Sequence, residues 1–402
     1  MRVFLVLMFI GLIICNNFHA QSVDVSAQFR ARSNVDNRDF NSDTDFFTFN
    51  ELRTRVNVGI EASRGISGFF QIQDSRIFGS EPSTLSDTKN LDLHQGFIKV
   101  KRVFNLPVDV KLGRMEVKLG NERLVGAVGW SNVGRSFDGS ILTLRTNPVD
   151  VHLLGFHLNE SFKTADSLDA YFGGVWADIN TVRKYDISLF ILNESVWRTN
   201  NCRYTVGTYI KGDLGSFSHE AEFAFQFGDM EAGNATNNIS ALMFAFNANY
   251  VFRSRVKPTI SAGIDFLSGD NDTSDDEVKA FNTLYATNHK FYGYMDYFIN
   301  VPVNSLNLGL MDIHGKFYLF PWKATKLGIN AHMFNSVEDY TLVSGSKAND
   351  FGLEFDFFGV YKYSENLTLQ AGFSIFSPGD IFKEVRGEDT SCWGYGMLIV
   401  NL

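Results

Sequence analysis

Apolar and polar residues alternate with a period of two over long tracts of this chain. Between His219 and Asp229, Ala221, Phe223, Phe225 and Phe227 interleave with Glu220, Glu222, Ala224 and Gln226. Leu242, Phe244, Phe246, Ala248 and Tyr250 interleave with Met243, Ala245, Asn247 and Asn249, and Ile260, Ala262, Ile264 and Phe266 with Thr259, Ser261, Gly263 and Asp265. Phe351, Leu353, Phe355 and Phe357 alternate with Gly352, Glu354 and Asp356; Leu52, Thr54, Val56 and Val58 alternate with Arg53, Arg55 and Asn57. Successive side chains of an extended strand point to opposite faces, so this pattern predicts strands with one apolar and one polar face. The last residues obey the same rule, with Gly396, Leu398, Val400 and Leu402 set against Tyr395, Met397, Ile399 and Asn401.

The connections alternate too. Short ones are expected near 63–67, 102–107, 147–148, 178–183, 213–217, 253–257, 321–324 and 363–366. Long ones are expected near 34–48, 79–90, 119–137, 159–168, 193–202, 229–239, 269–305, 335–350 and 378–390. Eight short and nine long connections imply 18 strands, with 16 the alternative, since boundaries read this way shift by about two to four residues. Short turns on one side and long loops on the other are the pattern of an all-β, transmembrane antiparallel barrel in a bacterial outer membrane. A soluble sandwich would also alternate. The bias to Phe, 39 of the 58 aromatic residues, favours a lipid-facing row. In lipid an open sheet edge leaves backbone groups unpaired at several kcal/mol each, so the sheet must close. About 16–18 strands leave an aqueous lumen, where Arg53, Arg55, Glu220, Glu222, Glu354 and Asp356 would face water.

The first residues are of another kind. Met1-Arg2, an apolar run Val3–Cys15 and a polar stretch ending at Ala20 have the layout of a secretory signal peptide. The expected division is therefore residues 1–20 as leader and 21–402 as barrel domain. A lipoprotein signal at Cys15 is the lesser alternative, because Ile14 is bulky for it. Residues 1–20 hold one Arg and no acid, so the mature balance is 35 Lys and Arg against 45 Asp and Glu, or −10. That argues against a nucleic-acid partner. The charge is uneven: residues 51–145 carry 14 Lys and Arg against 10 acids, and residues 146–402 carry 18 against 30. Cys202 and Cys392 remain after cleavage, and a periplasmic route would permit a disulfide. Their spacing is not of a metal-binding kind.

Several segments stand out: Glu51-Leu-Arg53-Thr-Arg55, Gln73-Asp74-Ser-Arg76, Asp92-Leu-His94-Gln95, Leu112-Gly113-Arg114, Gly120-Asn-Glu122-Arg123-Leu, Trp130 to Gly139, and Phe281 to Asp296. In order and spacing they resemble the alginate-export family of outer-membrane barrels over nearly all the mature chain. The resemblance implies an 18-stranded barrel with an arginine-lined, electropositive constriction for an acidic polysaccharide. It also implies a monomer. By position, Arg53, Arg55, Arg76, Arg114, Arg123 and Arg135 match its recurring basic motifs, and Asp74 and Asp138 its interleaved acids. Read from chemistry alone, rings of Arg favour anions, and the guanidinium fork meets a carboxylate bidentately. The bland reading is that these Arg–Asp pairs brace inward-folded loops.

Other features carry less. The loop Ser268–Glu277 is rich in acids and could attract calcium, but it lacks the turn glycine of an EF-hand; a solvated loop is the simpler reading. His289 beside Asn288 has no Ser or Cys nucleophile in a recognisable motif, and His219-Glu220 lacks the second His of a zinc protease. Glu220 and Glu222 share a strand face, so paired-carboxylate hydrolysis is geometrically conceivable; a polar lumen explains them more simply. No enzymatic activity, cofactor or metal is expected. The expected function is passive passage of a polar, anionic carbohydrate or polysaccharide. A general porin for small polar solutes, a barrel enzyme and a soluble β-protein are the alternatives. The expected partners are outer-membrane lipid and the solute.

Overall fold

A computed structural model describes residues 20–402 except 63–64, 82, 86–89, 161–168, 181, 233–234 and 273. Apart from Ala20, the expected leader lies outside these residues, as do parts of the loops expected near 79–90 and 159–168.

The strands are β1 Ala20–Asn37, β2 Phe47–Ala62, β3 Ile66–Ile77, β4 Leu91–Val100, β5 Val108–Met115 and β6 Phe137–Arg145. They continue as β7 Val149–Asn159, β8 Ala170–Ile179, β9 Tyr185–Val196, β10 Asn201–Leu214, β11 Phe217–Ala232, β12 Ala235–Val251 and β13 Thr259–Leu267. The rest are β14 Glu277–Val278, β15 Leu310–Leu319, β16 Thr325–Thr341, β17 Lys347–Lys362, β18 Leu367–Pro378 and β19 Ser391–Asn401. β14 is a two-residue stub, parallel to β12. The other eighteen pair antiparallel with their neighbours, and β13 pairs directly with β15. β1 pairs on one side with β2 and on the other with β19, from Gln28 opposite Asn401 to Asn37 opposite Cys392. The sheet is closed, with no free edge left to pair in lipid.

The two rows expected from the alternation separate as inside and outside. On β11, Phe223, Phe225 and Phe227 are exposed on the outer surface, while Glu222, Ala224 and Gln226 are buried within the bore. Val23 and Val25 of β1, Ile260 of β13, and Leu353, Phe355 and Phe357 of β17 continue the outer row. Phe351 departs from it. A bulge between β16 and β17 shifts the register near Phe334 and Asn335, and Phe351 turns inward and is fully buried.

Short turns lie where expected, and glycine serves one of them visibly. Gly215, at φ +87°, closes the β10–β11 hairpin and donates its N–H to the Asp213 carboxylate at 3.0 Å. The long side differs. Strands run through much of the loops expected near 193–202, 229–239 and 335–350, so β9–β12, β16 and β17 stand up as tall hairpins. β12 has 17 residues and β5 has 8. At about 3.3 Å per residue and a tilt of about 35–45°, β5 covers only about 20 Å of an apolar band of about 25 Å. Cys202 and Cys392 are unpaired.

The bore is filled by chain from three connections: 116–136, 268–309 and the loop holding a short helix, Asp380–Val385. Phe281, Tyr292, Met295, Tyr297 and Phe298 of the second pack with Phe334, Phe351, Phe376 and Phe382 into one buried apolar cluster. The ring centroids of Phe298 and Phe334 lie 4.6 Å apart, and those of Tyr297 and Phe376 4.8 Å.

Candidate functional site

The inner row of the first strands is basic. Arg30 and Arg32 of β1 and Arg53 and Arg55 of β2 are all buried on the lumen side, followed by Gln71 and Gln73 of β3 and His94 and Gln95 of β4. The tip of the 116–136 loop lies over them. Arg30 donates to the Gly129 and Ser131 carbonyls, each at 2.9 Å, and Arg53 donates to the same two at 3.1 Å. Arg32 bonds Glu51 at 2.7 Å and the Trp130 carbonyl at 3.1 Å, with its guanidinium 4.5 Å from the Trp130 ring centre. Arg55 donates to Gln73 at 2.6 Å and Glu116 at 3.1 Å. Four guanidiniums thus face two carboxylates, Glu51 and Glu116. The remaining partners are carbonyls, amides and, for Arg55, the His94 ring at 3.0 Å, so positive charge is left over. Burial pushes the Glu116 carboxyl up, but His94, Arg55 and Lys118 outweigh it and hold it below the usual carboxylate range.

Arg123 and Arg135 also point into the bore and act as braces. Arg123 is buried against Asp265 and Glu222 of the far wall and lies 3.9 Å over the Phe291 ring. Arg135 donates to the carbonyls of Tyr285 and Ala286, tying the two inward loops together. Gly126 N–H to the Tyr285 carbonyl (2.8 Å) and Tyr285 N–H to the Leu124 carbonyl (2.9 Å) complete that junction.

The other four expected lining residues belong to the outer row. Arg76 lies opposite Leu52 and Asp74 opposite Thr54, both on the face of the exposed Phe70 and Ile72. Arg114 lies opposite Asp138, on the face of the exposed Leu112, while the neighbouring Met115 and Phe137 are buried inside. Asp74, Arg76, Arg114 and Asp138 are therefore corrected: they form surface ion pairs (Arg76–Asp74 at 2.5 Å, Arg114–Asp138 at 2.6 Å) near the long-loop end of the wall. A charge on the lipid face costs little there, about 0–1 kcal/mol against about 2–4 at the midplane. Arg30 and Arg32 escape motif reading, yet the alternation Asp24, Ser26, Gln28, Arg30, Arg32, Asn34 already sets them on the polar row.

The wall from β11 round to β17 is acidic and covered. Glu222, Asp265, Asp312, Glu354 and Asp356 are all buried. The 268–309 loop lies across them, with Met295 N–H donating to Glu354 at 2.8 Å and Asn282 exchanging two bonds with Gln226 at 2.7 and 3.0 Å. His289 lies 2.6 Å from Asp296 and its ring stacks 4.5 Å from Trp130, so it joins the inward loops. Just after the Ser268–Glu277 loop, Lys279 sits 2.8 Å from Asp275 and 3.0 Å from Glu277; its bond holds the Asp275 carboxyl below the usual range.

Towards the short-turn end the bore opens into a cavity of about 970 Å³. Lys111, Lys118, Arg183, Lys184 and Lys211 line it together with Glu116, Asp178, Asp186 and Asp213.

The family model described as alginate export matches residues 20–394. Among solved structures, OccAB4 of Acinetobacter baumannii is similar at TM-score 0.63 and 9% identity, covering 96% of this chain and 100% of that one. OccK11 (OpdR) of Pseudomonas aeruginosa gives 0.61 at 12% identity, covering 95% and 96%. OccK5 (OpdH) of the same organism gives 0.58 at 13% identity, covering 94% and 98%. No curated protein matches in sequence.

Proposed function

We propose, from the premise that this chain belongs to the alginate-export family of Gram-negative outer-membrane barrels, that it is a passive channel preferring a polar, anionic carbohydrate. The observation that carries the reading is the excess of positive charge on the β1–β2 wall. Arg30, Arg32, Arg53 and Arg55 sit together in the middle of it, where the carboxylates they contact are Glu51 and Glu116; Asp24, Asp36 and Glu61 of the same polar rows lie towards the strand ends. Five acids of residues 146–402, Glu222, Asp265, Asp312, Glu354 and Asp356, are buried on the wall that the 268–309 loop covers, while Asp178, Asp186 and Asp213 line the cavity beyond. A uronate-type carboxylate would take the place of a loop carbonyl at Arg30 or Arg53, each of which has an Nε with no partner. The solute would then pass to the cavity of about 970 Å³ at the periplasmic end, a volume at the upper end of small-ligand sites. The barrel acts as a monomer, with residues 1–20 removed on export.

The cavity's lining of five cations and four acids favours a second reading, a general porin for small polar solutes. Single-channel recording separates the two. Under the first, an acidic oligosaccharide blocks the current in a concentration-dependent way, a neutral one of equal length does not, and Arg53→Gln weakens the block at least tenfold. Equal indifference to both sugars would leave only the general porin.

A further inference from the structure

We propose that Asp312, His314 and His332 bind a divalent late transition-metal ion of the zinc class on the inner wall of the barrel. The three are buried and point inward from the adjacent strands β15 and β16, with His314 directly opposite His332. His332 Nδ1 lies 2.9 Å and His314 Nδ1 3.2 Å from the same Asp312 oxygen, Oδ2. The three ligand atoms fall within 4.8 Å of one another, the one such His- and Asp-containing group among the described residues. Around zinc, bonds of about 2.0–2.2 Å set ligand atoms roughly 3.3 Å apart, so the two histidine–carboxylate separations, 2.9 and 3.2 Å, need to change by only a few tenths of an ångström. Two imidazoles and a carboxylate suit zinc, copper, nickel or cobalt better than calcium or magnesium. Each ring would bind through Nδ1 and carry its proton on Nε2.

A second observation points the same way. The cross-strand neighbours of this group are carboxylates: Asp265 stands opposite Asp312, and Glu354 opposite His332. Asp265 Oδ1 and Glu354 Oε2 are buried without a hydrogen-bond partner. Counting Glu222 and Asp356, five buried carboxylates share this wall with Arg123 and Lys316, and Lys326 lies towards the short-turn end of β16. Unpaired buried charge is costly, and a dication would offset most of the imbalance. The fourth coordination position falls to water or to Asp265 Oδ1. The ion would cross-link β15 to β16 beneath the 268–309 loop, whose Tyr292 and Met295 pack on the same wall. The rival account is a metal-free triad in which both imidazoles are protonated.

The test uses the untagged, full barrel in detergent, stripped with chelator, exposed to zinc alone and dialysed. About one zinc per folded chain is expected, and cobalt in its place is expected to show the visible absorption of a site with nitrogen ligands. His314→Gln and His332→Gln should each lower zinc retention at least tenfold, and His157→Gln should not. Folding is followed by heat-modifiable migration, and if both variants misfold, the wild-type zinc content and cobalt spectrum decide. Less than about a tenth of a zinc per folded wild-type chain, or unchanged binding in a folded double variant, overturns the proposal.

Discussion

The charge of a single residue, Glu116, sets how much of the Arg55 field is felt in the bore. Glu116 follows directly on β5 and meets Arg55 at 3.1 Å and His94 at 2.9 Å. Its carboxyl is held below the ordinary range despite burial. A depressed carboxyl contributes stability that is present above its unfolded value and is lost as pH falls through its folded value. The contact is therefore complete at neutral pH and is released only at a pH below the ordinary glutamate value. Glu116→Gln is expected to raise the anion-over-cation permeability ratio two- to threefold at pH 7 without closing the channel, read as reversal potential across a salt gradient. In the wild type the same rise should appear only on strong acidification. An unchanged ratio would remove Glu116 from the path. The residues with most chemistry in the sequence were not all where that chemistry pointed. Asp74 and Arg76 share the parity of Phe70 and Ile72, and Asp138 that of Leu142 and Leu144. The period of two is a local property and sets these faces by itself, whereas an Arg–Asp pair looks alike on either side of a wall.

At the scale of elements, the two inward loops decide what passes. Strands were legible because alternation and turn chemistry act within a few residues. The destination of a loop was not, because it is fixed by contacts far along the chain: Arg135 reaches carbonyls at 285 and 286, and Thr287 donates its hydroxyl to Glu122 at 3.0 Å. The height of the hairpins at 193–202 and 229–239 was hidden for a related reason. Polar residues on both faces look like loop in sequence, yet two such segments pair readily once the strands below them are in register. Arg135 is one of several side-chain ties between the loops, beside Thr287 to Glu122 and Lys290 to the Asn121 carbonyl, and Arg135→Gln should loosen their junction while the wall stays closed. Larger and noisier open-channel current is expected, at least double in variance, with unchanged heat-modifiable migration. A quiet trace of wild-type conductance would show that the backbone bonds at Gly126 and Tyr285 suffice.

At the scale of the whole molecule, closure of the sheet converts an uneven distribution of charge along the chain into a field across the bore. The 51–145 stretch supplies β2–β6 on one side of β1, and the acidic remainder supplies the rest of the wall round to β19 on its other side. A net charge of −9 for the full chain says nothing of this, because the acids of the far wall are buried and five of them lie under a loop. What a solute feels depends on which wall is uncovered and on how far its field reaches. The Debye length is about 10 Å at 0.1 M salt and about 3 Å at 1 M. At the lower salt the field of Arg30, Arg32, Arg53 and Arg55 reaches about 10 Å into the bore, and at the higher it ends near the side chains. The permeability ratio for chloride over potassium should therefore exceed 1 at 0.1 M and fall towards 1 at 1 M, with pore conductance itself rising. Selectivity that persists at 1 M would place the discrimination in direct contacts, where guanidinium binds the anion. A ratio below 1 at low salt would mean that the acidic wall, despite its cover, governs the path.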